Sequence, residues 1–300
     1  MSRRKFVWTE HKRQKLYKVL DILEELKDYR PLTLRQVYYQ MVGKGYLENN
    51  KSQYNMLSDL IKWARIDKYI PWEIIEDRVR AFRDYRGWST KEDFIGQEVN
   101  NFLAGYRRNL LQTQAKYIEV WIEKDALSSL FSKVCLVYSV PVVVCRGFSS
   151  VSFLYDFKER LAAQGEKTPL MLYFGDFDPS GMEMLKAMIT TLREELRVGL
   201  LFKRIALTKE DIFTHNLPHN PSALKQKDTR AKKHIAQYGE LAVELDALRP
   251  NILEAKIREA IEQEINIKAF NTEVKKANLE LGKLKEMKRK AEAFIGTLNV

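Results

Sequence analysis

The chain has 300 residues, of which 45% are hydrophobic and 11% aromatic, and this content of apolar side chains excludes a fully disordered protein. Lys and Arg (51) outnumber Asp and Glu (40) to give a formal net charge of +11, so a polyanion, nucleic acid before membrane, is the first partner to consider. The two cysteines lack metal-ligand spacing and no apolar run approaches the ~18 residues of a membrane span, which predicts a soluble cytoplasmic protein with no membrane partner.

The first hundred residues carry apolar side chains at helical spacing. Helices are predicted over residues 10–29, from Thr33 to Gly43 and over residues 52–66. The short apolar stretch 69–75, interrupted by Pro71, suits a small hairpin better than a helix. Three helices followed by a hairpin are typical of a winged helix-turn-helix domain. A generic helical cap is the alternative explanation for the same pattern.

From Tyr117 onward, short apolar strands alternate with helices. Strands are predicted over residues 117–123, 140–145, 169–174 and 202–207, with a helix between each pair. This βαβαβαβ pattern predicts an α/β fold with a doubly wound, Rossmann-like parallel sheet. A lysine-rich amphipathic helix is predicted over residues 272–293. The predicted domains are a helical domain (1–100), a sheet domain (101–250) and a C-terminal helical extension (251–300).

Acidic residues follow two of the predicted strands. Glu123 ends the first strand, and Asp176 and Asp178 follow the third, two positions apart on an extended segment. Chemistry in parallel sheets lies beyond the carboxyl ends of the strands, so we expect these side chains to converge. A hard divalent cation relieves the repulsion of paired carboxylates, which predicts a Mg²⁺ site with Glu123 as a third ligand or as a general acid/base. A solvated turn is the alternative for an isolated Asp-x-Asp.

Two further residues adjoin this acidic segment, and a third candidate lies downstream. Pro179 is expected to open the next helix, and Gly181 to let a phosphate approach the N-terminus of that helix. Downstream, residues 243–248 resemble a short strand with outward acids. Asp246 in that strand is either a further metal neighbour or a surface residue, and the pattern favours the surface strand.

A basic run lies between the fourth strand and that segment. Five cations occupy the nine positions 225–233, after a loop rich in Pro and Asn. They predict contact with a phosphate backbone, although a solvated helix face fits the same run. These candidate DNA-binding residues are Lys225, Lys227, Arg230, Lys232 and Lys233.

The acidic motif resembles that of the Toprim fold of topoisomerases, primases and some nucleases, in which one strand ends in Glu and a later strand is followed by Asp-x-Asp-x-x-Gly. The sequence at 175–181, Gly-Asp-Phe-Asp-Pro-Ser-Gly, is similar to the Asp-x-Asp-Pro-x-Gly of the topoisomerase VI A subunit and its relative, the meiotic double-strand-break transesterase. The resemblance implies a Toprim-type sheet in which Glu123, Asp176 and Asp178 bind Mg²⁺.

That family places a catalytic tyrosine in a winged-helix domain before the Toprim domain, in a Thr/Ser-x-Arg-x-ϕ-Tyr-Tyr-like helix, and residues 33–39 read Thr-Leu-Arg-Gln-Val-Tyr-Tyr. Helical spacing places Tyr38 on the buried stripe and Tyr39 on a more exposed flank, one turn after Arg35. A guanidinium holds phosphate and favours the phenolate, so Tyr39 is the candidate nucleophile and Arg35 its partner cation. A packing role is the alternative for a tyrosine on a helix flank.

The resemblance implies Mg²⁺-dependent DNA cleavage by transesterification, with a covalent tyrosyl-DNA link and a homodimer in which the tyrosine of one subunit meets the Toprim domain of the other. The 30 residues before Pro31 are fewer than the family's ATPase-docking segment, which makes an ATPase partner doubtful. The chain resembles a compact, standalone member of prokaryotic, phage or mobile-element origin. Two alternatives stay open: a Toprim nuclease with water as the nucleophile, and a non-catalytic winged-helix DNA-binding protein.

Overall fold

A computed structural model describes residues 6–76, 87–147, 149–224 and 228–297 and has an α/β fold. The chain divides into two compact units, Met1–Val79 with Lys116–Ile261 and Arg80–Ala115 with Glu262–Val300. The first unit contains both the N-terminal helices and the parallel sheet. The division into domains 1–100, 101–250 and 251–300 stays a prediction.

Three N-terminal helices form where the apolar spacing predicts them, α1 (Glu10–Glu25), α2 (Leu34–Gly43) and α3 (Lys51–Ile66). A fourth helix, α4 (Lys91–Asn101), forms in a stretch for which no helix was predicted. A capping box starts α2, because the Thr33 side chain accepts from Gln36 N and the Gln36 side chain accepts from Thr33 N. This cap fixes the first turn of the helix that carries Arg35 and Tyr39.

The predicted hairpin over residues 69–75 is wrong. A short 3₁₀ helix, Trp72–Ile74, leads instead into strand β2 (Ile75–Glu76), which pairs in parallel with strand β1 (Leu32–Thr33). Pro71 has no N–H to give to a strand ladder, and its fixed φ suits the start of a helical turn. The apolar residues that suggested a hairpin, Ile70 and Ile75, are buried at the two ends of the 3₁₀ helix.

Four parallel strands form the sheet of this unit, in the order β4-β3-β5-β6. They are β3 (Lys116–Ile122), β4 (Val142–Val144), β5 (Thr168–Phe174) and β6 (Leu201–Ala206). The helices between them are α5 (Ser128–Tyr138), α6 (Val151–Ala162) and α7 (Pro179–Thr190). The predicted βαβαβαβ pattern and parallel sheet are thereby confirmed. The central strands β3 and β5 are apolar runs because helices bury both faces of such a sheet.

One fully buried carboxylate lies within this apolar sheet. Glu119 on β3 accepts hydrogen bonds from Trp121 Nε1 (2.9 Å), from Tyr117 and from the guanidinium of Arg160 on α6 (2.8 and 3.0 Å). Trp121 itself packs against Phe157 of α6 in the core. A buried carboxylate is tolerated because both of its oxygens receive donors.

The segment after β6 runs back over the carboxyl ends of the strands. It contains α8 (Lys209–Thr214), α9 (Thr229–Tyr238), a 3₁₀ helix at Leu245–Ala247 and α10 (Pro250–Glu262). The surface strand predicted over residues 243–248 is wrong, because Val243 makes a single antiparallel bridge to Phe177 and the chain then turns into the 3₁₀ helix. This 3₁₀ helix packs against α2, so Asp246 is buried instead of pointing outward.

The second unit contains α4 and a long C-terminal helix, α11 (Ile267–Ile295), which includes the helix predicted over residues 272–293. Arg108 donates to Glu273 on α11 (2.7 Å) and to Glu280 two turns further along the helix (2.6 Å), which connects residue 108 to α11. None of the helices in the described ranges combines the length and the apolarity that crossing a membrane requires.

Candidate active site

The carboxyl ends of the two central strands bring the predicted acids together. Ile122 lies opposite Phe174 in the ladder, so the chain leaves β3 and β5 at the same level. Glu123 follows β3, and its Oε2 accepts a hydrogen bond from Asp176 N (3.0 Å) beyond the end of β5. A Cβ on Gly181 would lie 2.7 Å from Asp176 O and 3.1 Å from Glu123 Oε2. Gly181 is thus needed for close packing of the acidic segment, which differs from its predicted role of admitting a phosphate.

Main-chain N–H groups orient all three predicted metal ligands. Glu123 Oε2 accepts from Asp176 N (3.0 Å), Asp176 Oδ1 from Leu245 N (2.7 Å), and Asp178 Oδ1 from Gly181 N as the N-cap of α7 (2.7 Å). Among the described residues no hydrogen bond uses the second oxygen of Glu123 or of Asp178. Each carboxylate is therefore held through one oxygen while the other is left for a further ligand.

Lys124 supplies the counter-charge at the centre of the cluster. Its Nζ lies 3.0 Å from Asp176 Oδ1, 2.6 Å from Glu244 Oε2 and 2.7 Å from Asp246 Oδ2. Sequence reasoning missed Lys124 and Glu244, and it assigned Asp246 to the surface. The only local signal for Lys124 was its position directly after Glu123. No local signal marked Glu244 or Asp246, since both reach the site through tertiary packing alone.

Helix α2 adds Arg35 and Tyr39 to the same site. The Arg35 guanidinium forms an ion pair with Glu244, and its Nε lies 3.5 Å from Asp246 Oδ2. Its central carbon is 5.9 Å from the centroid of the Tyr39 ring, which agrees with the predicted one-turn spacing. The tyrosine helix and the acidic strand ends, which are far apart in sequence, are thus neighbours in one unit.

Both tyrosines of α2 are buried. The Tyr38 hydroxyl donates to main-chain carbonyls of Glu48 and Asn50 (both 3.1 Å), which confirms its place in the core. Tyr39 is only 3% exposed, so the predicted exposed flank is wrong. The reason is that the 3₁₀ helix Leu245–Ala247 covers the side of α2 that the apolar stripe leaves open.

Burial controls the protonation of the tyrosine and of the acids. Burial raises the pKa of Tyr39, and the carboxylates of Asp246 and Asp176 add to this effect, while Arg35 opposes it. Burial, with the charge of Asp176, also raises the pKa of Glu123 to about 7. The pKa of Asp176 is raised by burial against the opposing charge of Lys124. Arg35 alone therefore does not make the phenolate of Tyr39 abundant in this arrangement.

Lys124 stays charged although it is buried. Burial by itself would lower the pKa of Lys124, but the carboxylates of Asp176 and Asp246 outweigh this effect and raise the pKa. The ammonium group thus acts as a fixed positive charge inside the cluster.

The donor chemistry of the cluster suits a hard divalent cation. No group of three or more His, Cys, Asp or Glu residues in the described ranges is arranged to hold a metal by itself. Mg²⁺ needs no such cage, since one or two carboxylates with water and substrate phosphate commonly complete its shell. Asp246 Oδ1 is buried without a hydrogen-bond partner among the described residues. Five carboxylates lie near three cations, Arg35, Lys124 and the buried Arg204. Binding of Mg²⁺ by Glu123, Asp176 and Asp178 stays a prediction.

Part of the predicted basic run flanks this site. Lys225 and Lys227 lie outside the described residues. Lys232 and Lys233 are exposed on α9, which packs against α7, the helix capped by Asp178. Arg230 donates to both carboxylate oxygens of Asp228 (3.1 and 3.2 Å from Nε) and is therefore tied to its own helix start. DNA contact by this run stays a prediction.

Two open cavities meet at α2 and α3. The smaller, of about 220 Å³, is lined by Tyr39, Arg35, Glu244, Lys51 and Tyr54. The larger, of about 460 Å³, shares Arg35 and Tyr54 with it and extends to Lys62 and Arg65 of α3. Although Tyr39 is buried, it thus lines a cavity that opens toward basic residues.

Comparison of the sequence with protein-family models and with curated proteins gave no match. The residues of the site and their geometry are therefore what bears on function. The structure brings Glu123, Asp176 and Asp178 near Arg35 and Tyr39 of the same chain, whereas the resemblance implies that the tyrosine meets the acids of a second subunit. Lys124, Glu244 and Asp246 join them.

Proposed function

We propose that this chain is a Mg²⁺-dependent DNA-cleaving transesterase similar to the topoisomerase VI A subunit, with Tyr39 as the nucleophile. The observation that carries the proposal is the packing of α2 against the Leu245–Ala247 turn. It places Tyr39 within electrostatic reach of Asp176 and Asp246, beside Arg35. A guanidinium beside the ring and two carboxylates that act on its hydroxyl support a chemical role for Tyr39.

The fold supports the same proposal. Acids at the ends of the two central strands of a β4-β3-β5-β6 parallel sheet agree with a Toprim-type domain. Helices α1 to α3 before that sheet, with the capped α2 carrying the tyrosine, agree with the helical part of a winged helix. The expected wing hairpin does not contribute to this agreement, because residues 69–75 form a 3₁₀ helix and a parallel strand.

The proposed reaction assigns a task to each residue of the site. The oxygen of Tyr39 attacks the phosphorus of a DNA phosphodiester, and the bond from phosphorus to one sugar oxygen breaks. The Glu123 carboxyl, whose pKa is raised to about 7, would supply the proton that this leaving oxygen takes up. The carboxylates of Asp246 and Asp176 act electrostatically on Tyr39, and one of them would accept the phenol proton. Arg35 faces the developing negative charge on the phosphoryl oxygens. A Mg²⁺ ion held by Glu123, Asp176 and Asp178 would stabilise the phosphate and the leaving oxygen.

The burial of Tyr39 favours a second candidate, a metal-dependent nuclease in which water attacks the phosphate. At 3% exposure and with a raised pKa, Tyr39 is a poor nucleophile until α2 or the turn beside it moves. In this alternative the acidic cluster performs the chemistry and Tyr39 only packs against it.

The test uses the two adjacent tyrosines as a matched pair. Supercoiled DNA is incubated with Mg²⁺ and the wild type, Tyr39→Phe or Tyr38→Phe, stopped with detergent, and analysed with and without protease. We expect protein covalently attached to cut ends with the wild type and with Tyr38→Phe, and none with Tyr39→Phe. Cutting by Tyr39→Phe that leaves free ends would establish the water-dependent nuclease instead. No cutting by any of the three would leave the non-catalytic DNA-binding protein.

A mixing experiment tests the homodimer that the resemblance implies. Tyr39 lies beside the carboxylates of its own chain, which supports an active site completed within one subunit. If so, a mixture of Tyr39→Phe and Asp176→Asn forms no covalent product, because each subunit lacks one essential group. Recovery of the product in the mixture would show that the tyrosine of one subunit serves the carboxylates of another.

A further inference from the structure

An exposed tryptophan, Trp72, is held rigidly at the edge of the helical region. It opens the 3₁₀ helix Trp72–Ile74, which is anchored by buried Ile70 on one side and by Ile75 of β2 on the other. The guanidinium carbon of Arg65 lies 4.4 Å from the centroid of the Trp72 ring, and Arg65 Nη2 donates to Trp72 O (2.9 Å). The side chain is nevertheless 57% exposed. The indole thus has a cation over its ring and more than half of its surface open to solvent.

Four more aromatic residues with cations around them lie in the same helical region as Trp72, and Trp63 and Tyr69 are also close to it in the chain. We define the aromatic surface as Phe6, Trp8, Trp63, Tyr69 and Trp72. Phe6 stacks on Trp63 (5.4 Å between centroids, 13° between planes), and Trp8 meets Tyr69 edge to face (5.2 Å). Lysines face two of its rings, Lys12 over Phe6 (3.9 Å) and Lys62 over Trp63 (5.4 Å). Asp67, a nearby acid, is bound by Trp8 Nε1 (2.6 Å).

Cations lie over three rings of this surface. They are Lys12 over Phe6, Lys62 over Trp63 and Arg65 over Trp72. Aromatic rings interleaved with cations are the chemistry that binds unpaired nucleic-acid strands, because bases stack on the rings and phosphates pair with the cations.

The aromatic surface is connected to the site. Arg65 and Lys62 line the 460 Å³ cavity, and Arg35 links that cavity to the 220 Å³ cavity that contains Tyr39. The backbone makes the same link, because Ile75 pairs with Leu32 and the next residue, Thr33, caps α2. In addition, Arg65 Nε is buried without a hydrogen-bond partner among the described residues. A strand that passes Trp72 therefore meets Arg65, Lys62 and Arg35 on its way toward Tyr39, together with the acidic residues Glu76 and Asp125, which also line the larger cavity.

We infer that the aromatic surface binds a single-stranded stretch of DNA, with an unpaired base stacked on the open part of Trp72 and phosphates at Arg65 and Lys62, and that the larger cavity leads this strand to Tyr39. The destination of the strand rests on the proposed function, whereas its binding does not. Bases inside a duplex are already stacked on each other and offer no face to an exposed indole. The substrate class is therefore DNA with unpaired bases beside the cut, such as an overhang or a melted segment.

Binding is measured with labelled oligonucleotides of about 20 nucleotides, longer than the ~4–16 nucleotides that one such surface covers. Fluorescence anisotropy compares a single strand, a blunt duplex and a duplex with an overhang, without Mg²⁺ and in the Tyr39→Phe background, so that no cleavage occurs. We expect Trp72→Ala to bind the single strand and the overhang about 5- to 100-fold more weakly, which is the range for the loss of one stacked base. Binding of the blunt duplex changes less than twofold.

Two further variants separate stacking from folding. Trp72→Phe keeps an aromatic face and is expected to recover most of the affinity lost in Trp72→Ala. Trp88→Ala is the matched control, because Trp88 is similarly exposed (52%) but lies against Phe94 in the other compact unit. We expect Trp88→Ala to bind all three DNAs like the parent protein.

Several results would overturn the inference: equal losses for single strand and duplex, no loss in Trp72→Ala, or an equal loss in Trp88→Ala. An unchanged DNA affinity combined with impaired self-association of Trp72→Ala would assign the surface to a protein contact instead. The outcome is distinct from that of the proposed function. Selective loss of single-strand binding without any covalent product would overturn only the transesterase, and a covalent product with unchanged Trp72→Ala binding would overturn only the aromatic surface.

Discussion

Replacement of Lys124 by methionine is expected to expose how far the acidic cluster depends on an internal cation. Methionine keeps the length and the apolar stem of lysine but removes the charge that faces carboxylate oxygens at 2.6, 2.7 and 3.0 Å. At an effective dielectric constant of about 20, each contact contributes about 5–6 kcal/mol before desolvation is subtracted. Desolvation offsets most of this sum, and removal of one partner from a buried ionic cluster typically lowers the free energy of unfolding by about 3–5 kcal/mol.

Urea unfolding of Lys124→Met at pH 7.5, with and without saturating Mg²⁺, is the assay. We expect the full loss without Mg²⁺ and recovery of at least half of it with Mg²⁺, because a divalent cation can then neutralise Asp176, Glu244 and Asp246. Lys186→Met, at an exposed position on α7, is the control and should change the free energy of unfolding by less than about 0.5 kcal/mol. A loss below about 1 kcal/mol would refute the assignment of Lys124 as the counter-charge. A large loss that Mg²⁺ does not reduce would instead refute the binding of Mg²⁺ by this cluster.

In urea unfolding, Glu119→Gln is expected to lower the free energy of unfolding by about 2–3 kcal/mol. This is less than for a fully buried ion pair, because the partner Arg160 is 38% exposed. A loss under about 0.5 kcal/mol would contradict this prediction. Because the pKa of Glu123 is raised to about 7, the Mg²⁺ affinity measured by calorimetry should weaken as the pH falls below 7, by at most about tenfold per pH unit. Glu123→Gln should lose this pH dependence. Without Mg²⁺, protonated Glu123 stabilises the folded state fully below pH 4.5, and this contribution is lost as the pH rises through 7. The free energy of unfolding, measured against pH for the wild type and for Glu123→Gln, would show this loss only in the wild type. Gly181→Ala places a Cβ 2.7 Å from a main-chain oxygen and should cost about 1–3 kcal/mol, whereas Gly199→Ala meets nothing within 4 Å, so equal unfolding midpoints of the two variants would refute the close packing.

The sheet could be predicted because its signals are local. Apolar β-branched runs, helical periodicity and short connections determine β3 to β6 within narrow windows, and the structure places them within a few residues of the expected bounds. The prediction for residues 69–75 was wrong because their apolar side chains suit a hairpin and a 3₁₀ helix followed by a parallel strand equally well. The choice was decided by Leu32, which is distant in sequence and takes Ile75 as a parallel partner.

The site could be predicted only in the parts that a motif carries. Glu123, Asp176, Asp178, Arg35 and Tyr39 were found from strand ends and one helical motif, and all five meet in the structure. Lys124, Glu244 and Asp246 were missed or misplaced for a common reason. Their positions depend on a turn that folds back over the strand ends, and alternating acids in a sequence look the same whether they face water or a buried ammonium group.

The buried state of Tyr39 and the ion pairs of Arg35 have one physical explanation. Without a phosphate, the Arg35 guanidinium needs anions, and Glu244 and Asp246 supply them. These same contacts keep the Leu245–Ala247 turn against α2 and thereby keep Tyr39 covered and protonated. A DNA phosphate entering the 220 Å³ cavity offers Arg35 a bidentate partner and competes directly with the two carboxylates. In the proposed reaction, Arg35 therefore exchanges Glu244 and Asp246 for the phosphate, and this exchange lets the Leu245–Ala247 turn move away from Tyr39. Attack by Tyr39 then depends on the presence of substrate.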